Sequence, residues 1–302
     1  MGAGRFAVPS LLALKQSHEL LAVVTQPDRP SGRGRHVSES PVKQEAAPLG
    51  VPIYQPERVR DEAFVDTVKR MRRLDAIVVA AYGQIIPKSI LDLPRLGAVN
   101  VHASLLPRYR GAAPIQHALI QGETETGVTI MLMDPGLDTG PILLQQTTEI
   151  GPAETAGELE ARLAQIGAGA LLCALDGLEQ GAIQPTPQDD PAATLAHSIK
   201  REEAAMDWGL PAAQIVNRVR AFNPKPGAYT HLHGDEVRTW RASVAAGAGP
   251  PGSVIEVRRE GVLVAAGRDA VLLTEVQPQD RRRMTAGDFA RGAHLRPGDT
   301  FN

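Results

Sequence analysis

The 302-residue chain is predicted to be an α/β protein carrying a second, smaller all-β part. Three observations predict this. Near-continuous apolar strands alternate with helices through the first two thirds, the pattern of a mostly parallel sheet with helices on both faces. A polar, proline-rich stretch follows, with Pro185, Pro187 and Pro191, marking an interdomain connection. Beyond Trp208, short strand-like segments separated by Gly and Asp turns suggest a small β-barrel. The expected boundaries are an α/β domain over 1–186, a linker over 187–207 and a barrel over 208–302.

Taken in order, residues 8–17 read as a helix and Glu19–Thr25 as a buried strand. Residues 26–36 have the Pro and Gly of an irregular loop and carry Arg29, Arg33 and Arg35 with no acid between them. Ser40-Pro41 supplies an N-cap and a first-turn proline, and Gly50 a stop, so 41–49 is a helix. Strand 51–54, helix 61–72, strand 75–81, short helix 87–92 and strand 97–103 continue the alternation. A helix at 112–121, strands at 127–133 and 141–149, and a long helix at 154–177 complete the first part. In the second, a helix at 211–222 precedes strands at 228–233, 236–243, 253–258, 261–266 and 270–276.

Composition narrows the function classes. Apolar content of 43% and charged content of 22% are ordinary for a globular protein. The single cysteine, Cys173, excludes an intramolecular disulfide and fits a reducing compartment. Uninterrupted apolar runs fall short of the roughly 20 residues that span a bilayer, so no membrane association and a cytoplasmic location are expected. The net charge of −2 hides an asymmetry: 13 Lys and Arg face 10 Asp and Glu from Ala205 onward. A basic C-terminal part on an acidic body suits an anionic partner.

The chemistry centres on Gly97–Gly111. Asn100 and His102 lie two apart on a strand, so their side chains share a face. A neutral donor beside a titratable group suits acyl transfer. Asp138, in the turn Asp134-Pro-Gly-Leu-Asp138-Thr-Gly140, follows a strand whose end is expected to meet theirs. Gly2-Ala-Gly4 resembles a dinucleotide-binding turn, but the strand which that fingerprint requires does not precede it. His231-Leu-His233 lacks the carboxylate or Cys spacing of a metal site, and no metal is expected. The basic loop reads equally as a solvated surface or as a grip on phosphates.

Asn100-Val-His102-Ala-Ser-Leu-Leu-Pro107, Arg110-Gly-Ala-Ala-Pro114-Ile-Gln116, Gly127-Val-Thr-Ile130 and Gly136-Leu-Asp138-Thr-Gly140 together resemble the folate-dependent formyltransferases. Phe6-Ala-Val-Pro9-Ser, Val24-Thr-Gln-Pro-Asp-Arg29-Pro, Ser40-Pro-Val-Lys43, Ala81-Tyr-Gly-Gln84, Asp207-Trp208 and Asn223-Pro-Lys-Pro-Gly-Ala-Tyr229 extend the resemblance over nearly the whole chain. They point to the branch acting on initiator tRNA. The resemblance implies a Rossmann-like first domain and an oligonucleotide-binding-type barrel. It also implies transfer of the formyl group of 10-formyltetrahydrofolate to initiator methionyl-tRNA, in a protein expected to be a monomer.

The same resemblance implies catalytic roles for Asn100, His102 and Asp138. It implies a folate wall from Ser104, Leu105, Leu106 and Pro107 with Tyr82, Gly83 and Gln84, and tRNA contacts from Arg29, Arg33, Arg35 and Lys43. Arg281, Arg282 and Arg283 form a charge run that suits phosphates or merely a solvated face. Formylation of an amino-sugar nucleotide or another amine is the alternative activity, and a noncatalytic tRNA- or nucleotide-binding relative the alternative class. In one respect the chain departs from the family, whose members begin with an apolar strand leading into Gly-Thr-Pro-Asp/Glu-Phe-Ala-Val-Pro. Here that strand and the turn's Pro and acid are missing, so the expectation is an upstream start, with the restored strand raising the melting temperature.

Overall fold

The computed structural model describes residues 1–31, 36–71 and 73–302, in two compact units. The first comprises 1–111, 125–149 and 160–196; the second comprises 112–124, 150–159 and 197–302. Two stretches that the sequence places in the first domain, 112–124 and 150–159, therefore group with the barrel. Which unit an apolar helix face joins is set by where it finds a partner, and chain proximity does not reveal that.

The strands, in chain order, begin with β1 (Val23–Val24), β2 (Arg29–Ser31), β3 (His36–Ser38), β4 (Ile53–Tyr54), β5 (Ile77–Val79) and β6 (Ala98–His102). β7 (Arg110–Gly111), β8 (Glu125–Leu132), β9 (Ile142–Glu149) and β10 (Leu195–Ala196) follow. The helices of this stretch are α1 (Val8–Ser17), α2 (Pro41–Ala46), α3 (Glu62–Lys69), α4 (Lys88–Leu91), α5 (Pro114–Ile120) and α6 (Ala156–Glu179). Ser40 caps α2 as its sequence suggests, accepting the Lys43 N–H at 3.0 Å.

β1 pairs with β4 and β5 with β6 in parallel, but β8 runs antiparallel to both β6 and β9. Parallel pairing thus holds within the pairs β1–β4 and β5–β6 and gives way at β8, which runs antiparallel to β6 although α5 lies between them in the chain, and which joins β9 through the loop 133–141. Between β1 and β5 the ladder is carried by two residues. Gly2 N–H donates to the Val24 carbonyl at 2.9 Å, and the Met1 carbonyl accepts from Ala80 N–H at 3.0 Å. Burial pushes the Met1 amine down to about 5. A cavity of about 520 Å³ adjoins it, walled by Leu11, Leu14, Leu21, Ile77 and Leu96 among others. A hydrophobic cluster of Val24, Phe64, Val68, Ile77, Val79 and Ile90 packs beside it, Val24, Val68 and Ile77 also lining the cavity.

The expected irregular loop contains an antiparallel pair, β2 with β3; Arg33 and Arg35 fall outside the described residues. Among the described residues, the 24 residues of α6 are long and apolar enough, by length and composition alone, to cross a membrane, although charged residues interrupt them. Its fully buried residues Leu159, Leu163, Leu171 and Ala174 recur at helical spacing, which marks one packed face.

In the second unit come α7 (Ala212–Ala221), β11 (Ala228–Leu232), β12 (Asp235–Ala245), β13 (Val254–Val257), β14 (Val262–Ala265), β15 (Ala270–Pro278), β16 (Met284–Thr285) and α8 (Ala286–Gly292). The antiparallel order is β11-β12-β15-β14-β13, with β16 on β15. Thr300 and Phe301 bridge Ser253 and Leu232, so the last residues join the two edge strands and close the barrel. Trp208 anchors its floor, donating from Nε1 to Thr230 Oγ1 at 3.0 Å with its ring against Phe301.

A capping box opens α6: Glu158 Oε2 accepts the Thr155 N–H at 2.9 Å and its hydroxyl at 2.8 Å, and Arg241 donates to Oε1. The Thr155 backbone N–H and then Arg241 hold this carboxyl down at about 2, against the usual 4.5. A lowered folded-state value stabilises fully above pH 4.5, and the contribution is lost as pH falls from there through about 2. Because the pair is nearly half exposed, its worth is about 1 kcal/mol. Glu158→Gln is expected to lower the neutral-pH melting temperature by a few degrees, the gap narrowing between pH 4.5 and 3 in thermal scans. A constant gap would contradict the assignment.

Candidate active site

β6 presents Asn100 and His102 on one face, as period two requires. His102 is 5% exposed. Its Nε2 lies 2.9 Å from the Tyr109 carbonyl. A carbonyl can only accept, so Nε2 carries a proton, and Nδ1 is the nitrogen left to gain or lose one. Nδ1 faces Asp138 Oδ2 at 3.6 Å. The other carboxylate oxygen of Asp138 accepts from Asn100 Nδ2 at 3.3 Å, and Oδ2 also accepts the Gly111 N–H at 2.8 Å. The three predicted residues therefore converge, but by a different route from the one expected. β8 ends beside the start of β6, with Leu132 opposite Val99, and the loop 133–141 doubles back over Asn100.

That loop is shaped locally. Asp134 Oδ1 accepts from Gly136 N–H at 3.0 Å and from the Thr139 hydroxyl at 2.7 Å. Gly140 passes so close to Leu132 that a Cβ would lie 1.9 Å from its carbonyl oxygen, which reserves the position for glycine. Asp138 takes a positive φ of 53°, a conformation Asp tolerates better than most residues.

The residues expected to wall the folate divide by what they do. Ser104 is fully buried and its hydroxyl donates to the Arg108 carbonyl at 2.6 Å, so it shapes the loop. Leu106 is buried, Leu105 and Pro107 are half-buried, and the Leu106–Pro107 peptide is cis. The residues that hold this loop carry no signal in the sequence. Thr129 Oγ1 donates to the Ser104 carbonyl at 2.7 Å and accepts the Leu106 N–H at 3.0 Å. Gln145 Nε2 donates to the Leu106 carbonyl at 2.8 Å. Both stand on β8 and β9, where alternation predicts a sheet face but not its partner.

Tyr82 packs its ring into the hydrophobic cluster; its hydroxyl is buried without a partner among the described residues, and burial pushes it up to about 12. Gly83 and Gln84, with Gln26, Arg29 and Glu57, line a cavity of about 350 Å³. These residues follow β1, β4 and β5, so the cavity sits at the carboxyl ends of the parallel strands, where open α/β sheets bind ligands. Gln84 Oε1 accepts the Val59 N–H at 2.8 Å, tying the two walls together.

Among the expected tRNA contacts, Arg29 is exposed to solvent beside this cavity on β2. Lys43 is engaged within the protein, 2.5 Å from Asp28 and 3.0 Å from Glu39, and these carboxylates hold its ammonium above the usual lysine range. Arg281, Arg282 and Arg283 are exposed between β15 and β16. The Arg283 guanidinium stacks 3.6 Å from the centre of the Trp240 ring, a cation–π contact that fixes its direction. Among the described residues no group of three His, Cys, Asp or Glu could hold a metal ion.

A donor amide, an imidazole of fixed tautomer and a carboxylate at a sheet end suit acyl transfer to an amine. Comparison with known families supplies the class: residues 1–175 match the model described as formyl transferase, and 198–294 the formyl transferase C-terminal domain. A methionyl-tRNA formyltransferase of Solibacter usitatus is 50% identical over 298 residues, covering 98% of this chain and 95% of the relative. That of Geobacter sulfurreducens is 46% identical over 299 residues, covering 99% and 94%. The chain belongs to the methionyl-tRNA formyltransferase family.

Solved structures share its fold. The N-formyltransferase from Helicobacter canadensis, in complex with folinic acid and dTDP-3-aminofucose, superimposes with a TM-score of 0.67 at 16% identity, covering 92% of this chain and 97% of that one. Methionyl-tRNA formyltransferase from Clostridium thermocellum gives 0.53 at 22% identity, covering 68% and 87%.

Proposed function

We propose that the chain transfers the formyl group of 10-formyltetrahydrofolate to the α-amino group of methionine on initiator tRNA. The observation that carries this reading is the meeting of Asn100, His102 and Asp138 within 3.3 and 3.6 Å, in a chain about half identical to a methionyl-tRNA formyltransferase over its length.

The acceptor must attack as the free amine, and an α-amino pKa near ~8 leaves a minority neutral at pH 7. Its nitrogen adds to the formyl carbon and the carbonyl oxygen becomes an oxyanion. Asn100 Nδ2 spends one hydrogen on Asp138 and keeps the second for that oxygen. The ammonium then loses a proton to the Nδ1 side of His102, backed by Asp138, and the bond to the folate nitrogen breaks as that nitrogen takes the proton up. Atoms and charge balance without a further reactant.

The folate is assigned to the Ser104–Pro107 loop and the Gly83–Gln84 cavity. Arg29, Arg33 and Arg35 are assigned to tRNA phosphates, with Arg281, Arg282 and Arg283 as a second set; Lys43 serves the shape of its loop. A cytoplasmic location and a monomeric state belong to the same proposal. The deciding experiment offers 10-formyltetrahydrofolate with charged initiator tRNA or, separately, with a dTDP-amino sugar. Formyl-methionyl-tRNA as the product supports the reading; formylated sugar alone overturns it. Arg33→Ala with Arg35→Ala is expected to weaken tRNA binding and reduce the slope of log affinity against log salt by about 0.7–0.9 for each phosphate no longer neutralised. An unchanged slope would take the loop out of the tRNA interface.

A further inference from the structure

Asp138 sits on a loop with an unfavourable φ, and residues in that region persist only where surrounding contacts hold them. Two of the loop's carbonyls, those of Asp138 and Gly140, accept from Gln188 Nε2 at 2.8 and 2.7 Å. The other end of the same amide, Oε1, accepts from Arg110 Nε at 3.0 Å and Nη2 at 2.8 Å. Arg110 is 7% exposed, and its Nη2 also reaches Asp190 Oδ1 at 2.7 Å. The orientation of the amide is unambiguous: guanidinium groups only donate and carbonyls only accept.

Arg110 lies between the two residues that touch the reacting pair. The Tyr109 carbonyl fixes the His102 ring, and the Gly111 N–H holds the Asp138 carboxylate. The amide of Gln188 thus ties the Tyr109–Gly111 segment to the backbone of the Asp138 loop, from a point in the chain far from both. We propose that Gln188 is a positioning residue for formyl transfer, clamping the Asp138 loop against Tyr109–Gly111 so that His102 and Asp138 stay in register. The proposal rests on the reading of those two residues as the proton-handling pair.

Gln188→Ala removes both ends of the clamp. Gln188→Glu separates them. Its carboxylate keeps the Arg110 contact, now as an ion pair, but sets an oxygen against the carbonyls of Asp138 and Gly140, pushing the loop away. If Gln188 merely satisfied a buried arginine, the Glu variant would restore wild-type behaviour. As a positioning residue it does not. Both variants are expected to lower kcat for formyl-methionyl-tRNA formation by about 10²-fold, the scale of a displacement near 1 Å. KM for folate and tRNA should stay within a few-fold, and the pH dependence of kcat should change. The Glu variant should keep the wild-type melting temperature.

Wild-type kcat in Gln188→Glu would overturn the proposal, as would losses in both variants that only follow their melting temperatures. His102→Ala, assayed alongside, separates the two levels. Full turnover without His102 sinks the catalytic reading itself; a dead His102 variant beside a fully active Gln188→Glu sinks only the clamp.

Discussion

His102→Ala is expected to lower kcat by about 10³-fold, within the range that one positioned proton-transfer group supplies, while KM for folate changes only a few-fold. The ring is nearly inaccessible, its Nε2–H is committed to the Tyr109 carbonyl, and only Nδ1 faces Asp138. Removing it takes away the ring nitrogen that the proposed mechanism uses to accept and return the proton. Single-turnover measurement with saturating folate and charged tRNA reads the chemical step directly. A His102→Ala enzyme with undiminished single-turnover rate would mean that the amine loses its proton to something else.

Asp138→Asn, the second, is expected to cost about 10²-fold in kcat with the fold intact. The carboxylate accepts from Asn100 and Gly111 and faces His102 Nδ1. An amide has one oxygen for these roles, so its NH₂ must oppose either the Asn100 amide or the Gly111 N–H, donor against donor. It also has no charge to stabilise an imidazolium. Asn100 and His102 would then lose their alignment together. Double-mutant cycles with His102→Ala check this: strong non-additivity is expected of groups that act as one unit, and full additivity would separate Asp138 from the proton path.

The residues forming this centre differ in how legible they are in the sequence. Asn100 and His102 can be paired from the chain alone because a strand's two-residue period is local geometry. The cap at Ser40, the helix over Val8–Ser17 and the run of short strands after Trp208 are legible for the same reason. Asp138 is visible as a glycine-flanked turn residue, but its approach to β6 is expected from parallel strand ends, whereas β8 is antiparallel and its loop folds back. Thr129 and Gln145 look like ordinary members of alternating strands. Gln188 looks like part of a polar connection. Lys43 looks like one more basic residue near a basic loop until Asp28 and Glu39 are found beside it.

By itself, then, the sequence determined the class of fold, the family and the two side chains that open the site, since period, caps and motif spacing act over a few residues. The tertiary structure decided what each of those groups faces. It fixed the tautomer of His102 through a carbonyl seven residues on, and secured the Asp138 loop through an amide 50 residues on. It also gave the helix and connection at 112–124 and 150–159 to the barrel unit. Hydrogen bonds between distant segments form only where chain folding brings a donor to an acceptor, and no local pattern in the sequence records that meeting.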